Sequence, residues 1–195
     1  MIPTPFVILI DKAEKAPWTF VGLHARSFVD PERRLYHPVR TERRYLGIGM
    51  GDYSLDGFQG RVAIERKSMA DFQGTLLGWP TDVETAAGNG REIDRRGRFK
   101  SELRKLQALE CKAVIVEAPL GRCLESCPQW GVRTSAENGK YLMSTYLAWQ
   151  QQFRVPWIFC EDREMAAVTA FRIMEQFWSR ATRRRVKEQL QSQLF

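Results

Sequence analysis

Residues 51 to 72, GDYSLDGFQGRVAIERKSMADF, leave the chain few ways to fold. Two strand-like stretches, Gly51 to Leu55 and Arg61 to Arg66, flank the turn signal Asp56-Gly57, and Gly60 closes the loop, so the spacing predicts a hairpin. The second strand runs without a linker into Ser68, a plausible N-cap for a helix through Met69, Phe72, Leu76 and Leu77. Asp71, three residues on, is an acidic variant of the capping box. A hairpin followed by a helix belongs to an element order along the chain, β, ββ, α, α, β, α, β, α, that favours a mixed α/β sheet over an all-α or all-β fold.

The remaining periodicity agrees. Phe6 to Ile10 is a continuous apolar run ending at Asp11, the profile of a strand buried on both faces. Lys112 to Glu117 and Pro156 to Cys160 are two further strand candidates. Helical stripes run over Arg98 to Glu110 (Phe99, Leu103, Leu106), from about Ser135 (Tyr141, Leu142, Tyr146, Trp149), and from about Arg163 (Phe171, Met174, Phe177, Trp178). The expectation is an α/β fold, a mixed central sheet flanked by helices. Two stretches carry no pattern: Pro80 to Gly97 reads as a long mobile loop, and Arg26 to Arg44 is basic without periodicity. A length of 195 residues suits one domain, placed at 1–180, with a basic C-terminal tail over 181–195.

Composition narrows the function classes. A hydrophobic fraction of 44% argues against global disorder, and 30 Lys+Arg against 23 Asp+Glu give a net charge of +7, which makes a polyanion a reasonable partner. The apolar run near the N-terminus is too short to span a bilayer, so a soluble intracellular, cytoplasmic protein with no membrane partner is expected. Cys111, Cys123, Cys127 and Cys160 read as reduced. Cys123 and Cys127 have metal half-site spacing, but no second cysteine pair completes a tetrahedral set and His24 and His37 lie far away in sequence, so a structural zinc is disfavoured.

Chemistry concentrates in the opening segment. Strand alternation puts Glu65 and Lys67 on one face and Val62, Ile64 and Arg66 on the other. A hairpin about Phe58 brings Asp52 roughly opposite Ile64 to Glu65, while Asp71 and Asp11 can approach from neighbouring elements. Two or three carboxylate oxygens with an open position suit Mg²⁺, which binds through one or two carboxylates plus substrate phosphate oxygens. Lys67 could hold or help deprotonate a water, and the set fits metal-assisted phosphodiester hydrolysis. Taken alone, an Asp, Glu and Lys near a hairpin are more often surface ion pairs than an active site, and capping by itself accounts for Asp71.

Gly51-Asp52-Tyr53, then Val62 through Ser68, then Asp71, resembles the GD…ERK…D signature of the XPF-type nuclease domain, a branch of the PD-(D/E)XK restriction-endonuclease-like superfamily. Asp11, Glu14, Pro17, Trp18 and Phe20 resemble the opening of its stand-alone bacterial and phage members, with Ala13 where that opening normally carries Arg. Arg98 to Leu106, Ala113 to Glu117 and Trp149 to Phe159 are similar to the helices and strands that follow. The resemblance implies that Asp52 and Glu65 are metal ligands, that Lys67 is the catalytic lysine, and that Asp71 is an essential acidic position. It further implies that the Arg66 carbonyl completes the metal shell, that the Arg66 side chain supports the site or touches phosphate, and that Asp11 and Glu14 lie at the rim or in the metal site. The implied activity is a Mg²⁺-dependent DNA endonuclease, with Mn²⁺ able to substitute, acting on branched, flapped or forked DNA in repair or recombination. A homodimer or a partner protein fits the same family. The alternative of the same fold is a non-catalytic DNA-binding or scaffold module; a basic RNA-binding protein would leave the carboxylates unexplained.

Candidate phosphate contacts are the arginine pairs and runs Arg33-Arg34, Arg43-Arg44, Arg95-Arg96 and Arg183-Arg184-Arg185, because guanidinium forks match phosphate oxygens without reading sequence. Solvated charge is the competing account of each.

Overall fold

A computed structural model describes residues 4–26, 36–47, 50–78, 94–129 and 132–192. Along the chain these form β1 (Val7–Asp11), β2 (His24–Arg26), β3 (Tyr36–Pro38), β4 (Arg40–Arg44), β5 (Tyr53–Leu55), β6 (Val62–Lys67), α1 (Met69–Leu77), α2 (Arg95–Gln107), β7 (Cys111–Val116), α3 (Leu120–Glu125), α4 (Ser135–Phe153), β8 (Trp157–Phe159) and α5 (Arg163–Ser192). Six strands make one sheet in the order β4-β1-β5-β6-β7-β8, and β2 pairs with β3 in a separate ribbon. The β5 pairings with β1 and β6 are antiparallel, whereas β4 with β1, β6 with β7 and β7 with β8 are parallel. The α/β expectation is met.

Each face of the sheet carries its own core. Ile8, Ile10, Val62, Ile64, Ala113 and Ile115 meet Ala166, Ala170, Phe171, Met174 and Phe177 of α5 on one side. Ala63, Val114 and Val116 meet Phe72, Leu76, Phe99, Leu103, Leu142 and Trp149 of α1, α2 and α4 on the other. A strand segment covered on both faces is apolar at successive positions, which is why Val7 to Ile10 of β1 and Ala113 to Val116 of β7 read as unbroken hydrophobic runs. Each fully buried large side chain contributes about 1.5–3 kcal/mol to this packing. The segment around β6 departs from the rule only at its last three residues, Glu65, Arg66 and Lys67, where polar groups replace apolar ones on both faces at once.

Where the structure adds to the sequence pattern, short or polar elements are involved. The basic stretch from Arg26 to Arg44 begins at the end of β2 and supplies β3 and the edge strand β4, and residues 181–192, suggested as a tail, continue α5. Cys123 and Cys127 are free and buried in the second core. Of the loop predicted over 80–97, only 94–97 lie within the described residues, and Asp94 caps α2 by accepting from the Gly97 N–H at 2.8 Å. Among the described residues no helix is long and apolar enough to cross a membrane.

Candidate active site

The hairpin register decides where the first carboxylate goes. Tyr53 pairs with Ile64, and the Asp52 N–H donates to the Ile64 carbonyl at 2.9 Å, so Asp52 lies opposite Glu65 as the spacing predicts. Gly51 makes this approach possible: its φ is +81°, and a Cβ there would sit 3.1 Å from the Ile64 carbonyl oxygen. The part-buried Asp52 carboxylate then turns to β6, where Oδ2 accepts the Arg66 N–H at 2.7 Å. The Asp52 carbonyl accepts the Asp11 N–H at 2.8 Å, which ties the end of β1 to the same point.

Glu65 and Lys67 face the α1, α2 and α4 layer and are both buried. The Lys67 ammonium lies 3.3 Å from Glu65 Oε1, 2.9 Å from Asp71 Oδ2 and 4.1 Å from the centroid of the Phe99 ring. Ser68 caps α1 by accepting the Asp71 N–H at 3.1 Å, which fixes Asp71 one turn beyond the lysine. Asp71 also accepts from Arg95 at 2.7 Å and Thr75 at 3.3 Å. Capping therefore accounts for the Asp71 backbone, while its carboxylate holds two cations. Arg95, and Glu102 within electrostatic reach of Glu65 and Lys67, join the group from α2. The sequence names Arg95 only as a phosphate contact, not as the partner of Asp71, and does not single out Glu102, since only the packing of α2 on α1 brings them there.

The electrostatics separate these groups. Burial pushes the Asp52 carboxyl up to about 7, opposed by the Arg66 N–H bond, with Glu14 adding repulsion and Lys67 and Arg66 attraction. Burial and then repulsion from Asp52 raise Glu65 well above the ordinary glutamate range, and Lys67 offsets this only in part. Burial pulls Lys67 down, but Glu65 and Asp71 outweigh it and hold the ammonium above the ordinary lysine value. Asp71 is lowered, because Lys67 and Arg95 overcome its burial. Lys67 is thus a fixed positive charge near neutral pH and suits holding an anion or a water's lone pair more than taking a proton. Asp52 and Glu65 are two desolvated carboxylates with too little cationic compensation, the environment a divalent cation relieves. Among the described residues no group of three His, Cys, Asp or Glu side chains could hold a metal by itself, so an ion here would rely on water and substrate oxygens.

The other face of β6 carries a second ionic group. Arg66 makes a two-pronged pair with Glu117 at 2.7 and 2.9 Å and reaches Glu14 at 3.4 Å. Glu117 also accepts from Trp18 Nε1 at 2.6 Å and Arg163 at 2.9 Å. The Arg66 side chain therefore anchors the end of β6 from behind. Both Asp11 oxygens are engaged by backbone, Oδ1 by Ala13 N–H at 2.6 Å and Oδ2 by Leu46 N–H at 2.7 Å. Asp11 organises the exits of β1 and β4 beside the site.

The arginines divide by what they hold. Arg33 and Arg34 lie outside the described residues. Arg43 donates to the carbonyls of Asp11, Lys12 and Glu14, Arg44 pairs with Glu42 and Asp56, Arg95 pairs with Asp71, and Arg96 donates to the Tyr141 hydroxyl. Arg183, Arg184 and Arg185 are exposed on α5.

No family model matches the sequence, and no curated protein is significantly similar to it. Among solved structures, XPF from Aeropyrum pernix superposes with a TM-score of 0.53 at 18% identity, covering 95% of this chain and 73% of that one. XPF from Aeropyrum pernix in complex with DNA gives a TM-score of 0.49 at 17% identity over 89% of this chain and 66% of that one. The first likeness shows a shared fold, in agreement with the fold that the motif resemblance implies.

Proposed function

We propose that the chain is a metal-dependent endonuclease that hydrolyses phosphodiester bonds in DNA, selective for branched, flapped or forked substrates in repair or recombination. The observation that carries this reading is the pairing of Asp52 with Glu65 across the hairpin. Both are pushed toward the protonated form by burial, and Lys67 stands next to Glu65 at 3.3 Å. Such a pair is costly for a folded protein to keep unless something positive and exchangeable binds it. A non-catalytic scaffold of the same fold has no use for that cost.

In this reading Asp52 and Glu65 hold Mg²⁺, or Mn²⁺ in its place, with the Arg66 carbonyl as a further oxygen. The bound ion supplies charge stabilisation at the phosphodiester and lowers the pKa of a water. Lys67, kept protonated by Glu65 and Asp71, holds a phosphate oxygen or orients the attacking water. Asp71 positions Lys67, and Lys67 together with Arg95 keeps Asp71 ionised. The Glu117–Arg66 pair fixes the strand end from the opposite face, so the Arg66 N–H stays aimed at Asp52. The preference for branched DNA comes from the motif resemblance.

The test is cleavage of labelled splayed, flapped, duplex and single-stranded DNA with Mg²⁺, Mn²⁺ or EDTA, beside Glu65→Ala. Wild-type protein should cut only with metal and fastest at the branched substrates, and the variant should lose at least about a hundredfold in rate. A wild type that cuts nothing under any metal, or a variant that cuts as well as it does, overturns the catalytic assignment. Equal rates on duplex and branched DNA overturn the substrate preference alone.

A further inference from the structure

Helix α2 carries Arg96, Lys100 and Arg104 at four-residue spacing, so the three cations line one side of the helix at a repeat of about 6 Å. Each lies over an aromatic ring of α4. Arg96 sits 5.4 Å from the centroid of Tyr141 and 5.6 Å from that of Trp149, Lys100 5.3 Å from Trp149, and Arg104 5.8 Å from Phe153. Arg133 covers Tyr141 as well, at 4.4 Å. Among the described residues no carboxylate forms an ion pair with any of the four. The acidic residue of α2, Glu102, faces Arg98 at 3.8 Å, and Glu137, within electrostatic reach of Arg133, is bonded to Thr134. At the start of the row, Arg95 turns to Asp71 and so to Lys67.

We propose that Arg96, Lys100 and Arg104, with Arg133 on the Tyr141 ring, form a phosphate-tracking row that leads a single-stranded polynucleotide arm to the Asp52, Glu65 and Lys67 site. The spacing of one cation per helical turn is close to that of successive phosphates on an extended strand. The row is a single line one helix wide, whereas a duplex presents two backbones across a groove. Trp149 and Phe153 are buried, so their rings cannot stack on bases, and the half-buried Tyr141 ring is engaged by Arg96 and Arg133; the rings hold the cations in place, and the row's contacts are to phosphate. The row is therefore indifferent to base sequence. Its destination rests on the nuclease reading, but its binding does not.

The experiment measures binding without metal, in EDTA, of a labelled oligothymidylate and of a duplex of equal length, over a range of salt. The proteins are wild type, the double variant Lys100→Gln/Arg104→Gln and the charge-keeping double variant Lys100→Arg/Arg104→Lys. Each single-strand phosphate contact contributes about 0.7 to the slope of log affinity against log salt, so the Gln pair should lower that slope by about 1.4. The charge-keeping pair should retain the slope, and duplex binding should change less. An unchanged slope with wild-type melting overturns the row, as does an equal loss on duplex, or a wild type that does not bind the single strand. Should the Gln pair unfold, Lys100→Gln alone decides, with a loss of about 0.7 expected and no loss overturning. Protein that binds with the expected slopes but never cuts leaves the row standing and overturns the catalytic reading instead.

Discussion

Replacing Asp52 with Asn should make the metal-free protein more stable and inactive. The Asp52 carboxyl is raised from 3.8 to about 7 in the folded chain, so the fold holds that proton more tightly than the unfolded chain does. The resulting stability is complete below about 3.8 and is lost as the pH climbs to about 7, where the folded protein must also ionise. At about 1.4 kcal/mol per pH unit, the loss amounts to about 4 kcal/mol at pH 8 and less than about 2 kcal/mol at pH 5. Asn keeps the shape and an oxygen to accept the Arg66 N–H, and it removes the repulsion that Asp52 exerts on Glu65. For a chain of this size 1 kcal/mol corresponds to about 2–4 °C, so Asp52→Asn should melt about 8–16 °C above wild type at pH 8 in EDTA, with a much smaller gain at pH 5. Urea unfolding at both pH values gives the same comparison as free energies. Added Mg²⁺ should narrow the gap at pH 8, since only the wild type retains both carboxylates for the ion. A variant no more stable than wild type at pH 8, or one with the same gain at both pH values, would refute the account of Asp52 as a desolvated, uncompensated charge.

Two further substitutions probe the supports of the site. Glu117→Gln strips Arg66 of its two-pronged partner in a part-buried setting and should cost about 3 kcal/mol in urea unfolding; a change under about 1 kcal/mol would show that Arg66 finds equal support elsewhere. Gly51→Ala forces an alanine to φ +81° against the Ile64 carbonyl and should cost about 1–3 kcal/mol while slowing cleavage, because Asp52 moves with it; wild-type stability and rate together would contradict this.

The legible part of the site is the part encoded within about twenty residues. Alternation on β6 separates Glu65 and Lys67 from Arg66, the hairpin puts Asp52 opposite Glu65, and Ser68 places Asp71, all by local geometry. Glu102 and Glu117 escaped as site residues, and Arg95 is legible only as a phosphate contact and not as the partner of Asp71, because long-range packing alone brings them to the strand end. The same distinction governs the fold. Buried β1 and β7 announce themselves as apolar runs, whereas β4, Arg-Thr-Glu-Arg-Arg, has no apolar residue to show and forms by backbone pairing with β1. For β2 and β3, three residues each, there is too little length for a period to emerge. Arg43 and Arg44 look like phosphate contacts in a string of letters, and the fold adds what the letters do not show, that they also hold carbonyls and carboxylates of the protein.

The two rims of the six-stranded sheet resist self-association in different ways. One rim is β4, whose arginines and glutamate stand in solvent, and the other is β8, three residues long and preceded by Pro156, which has no N–H to offer. A foreign strand seeking to extend the sheet would meet charge at one border and almost no length at the other. The polar strand that is hardest to find in the sequence thus guards a sheet whose interior strands are among the most apolar segments of the chain, and charge-removing changes at Arg40, Glu42 or Arg43 would expose that border to self-association.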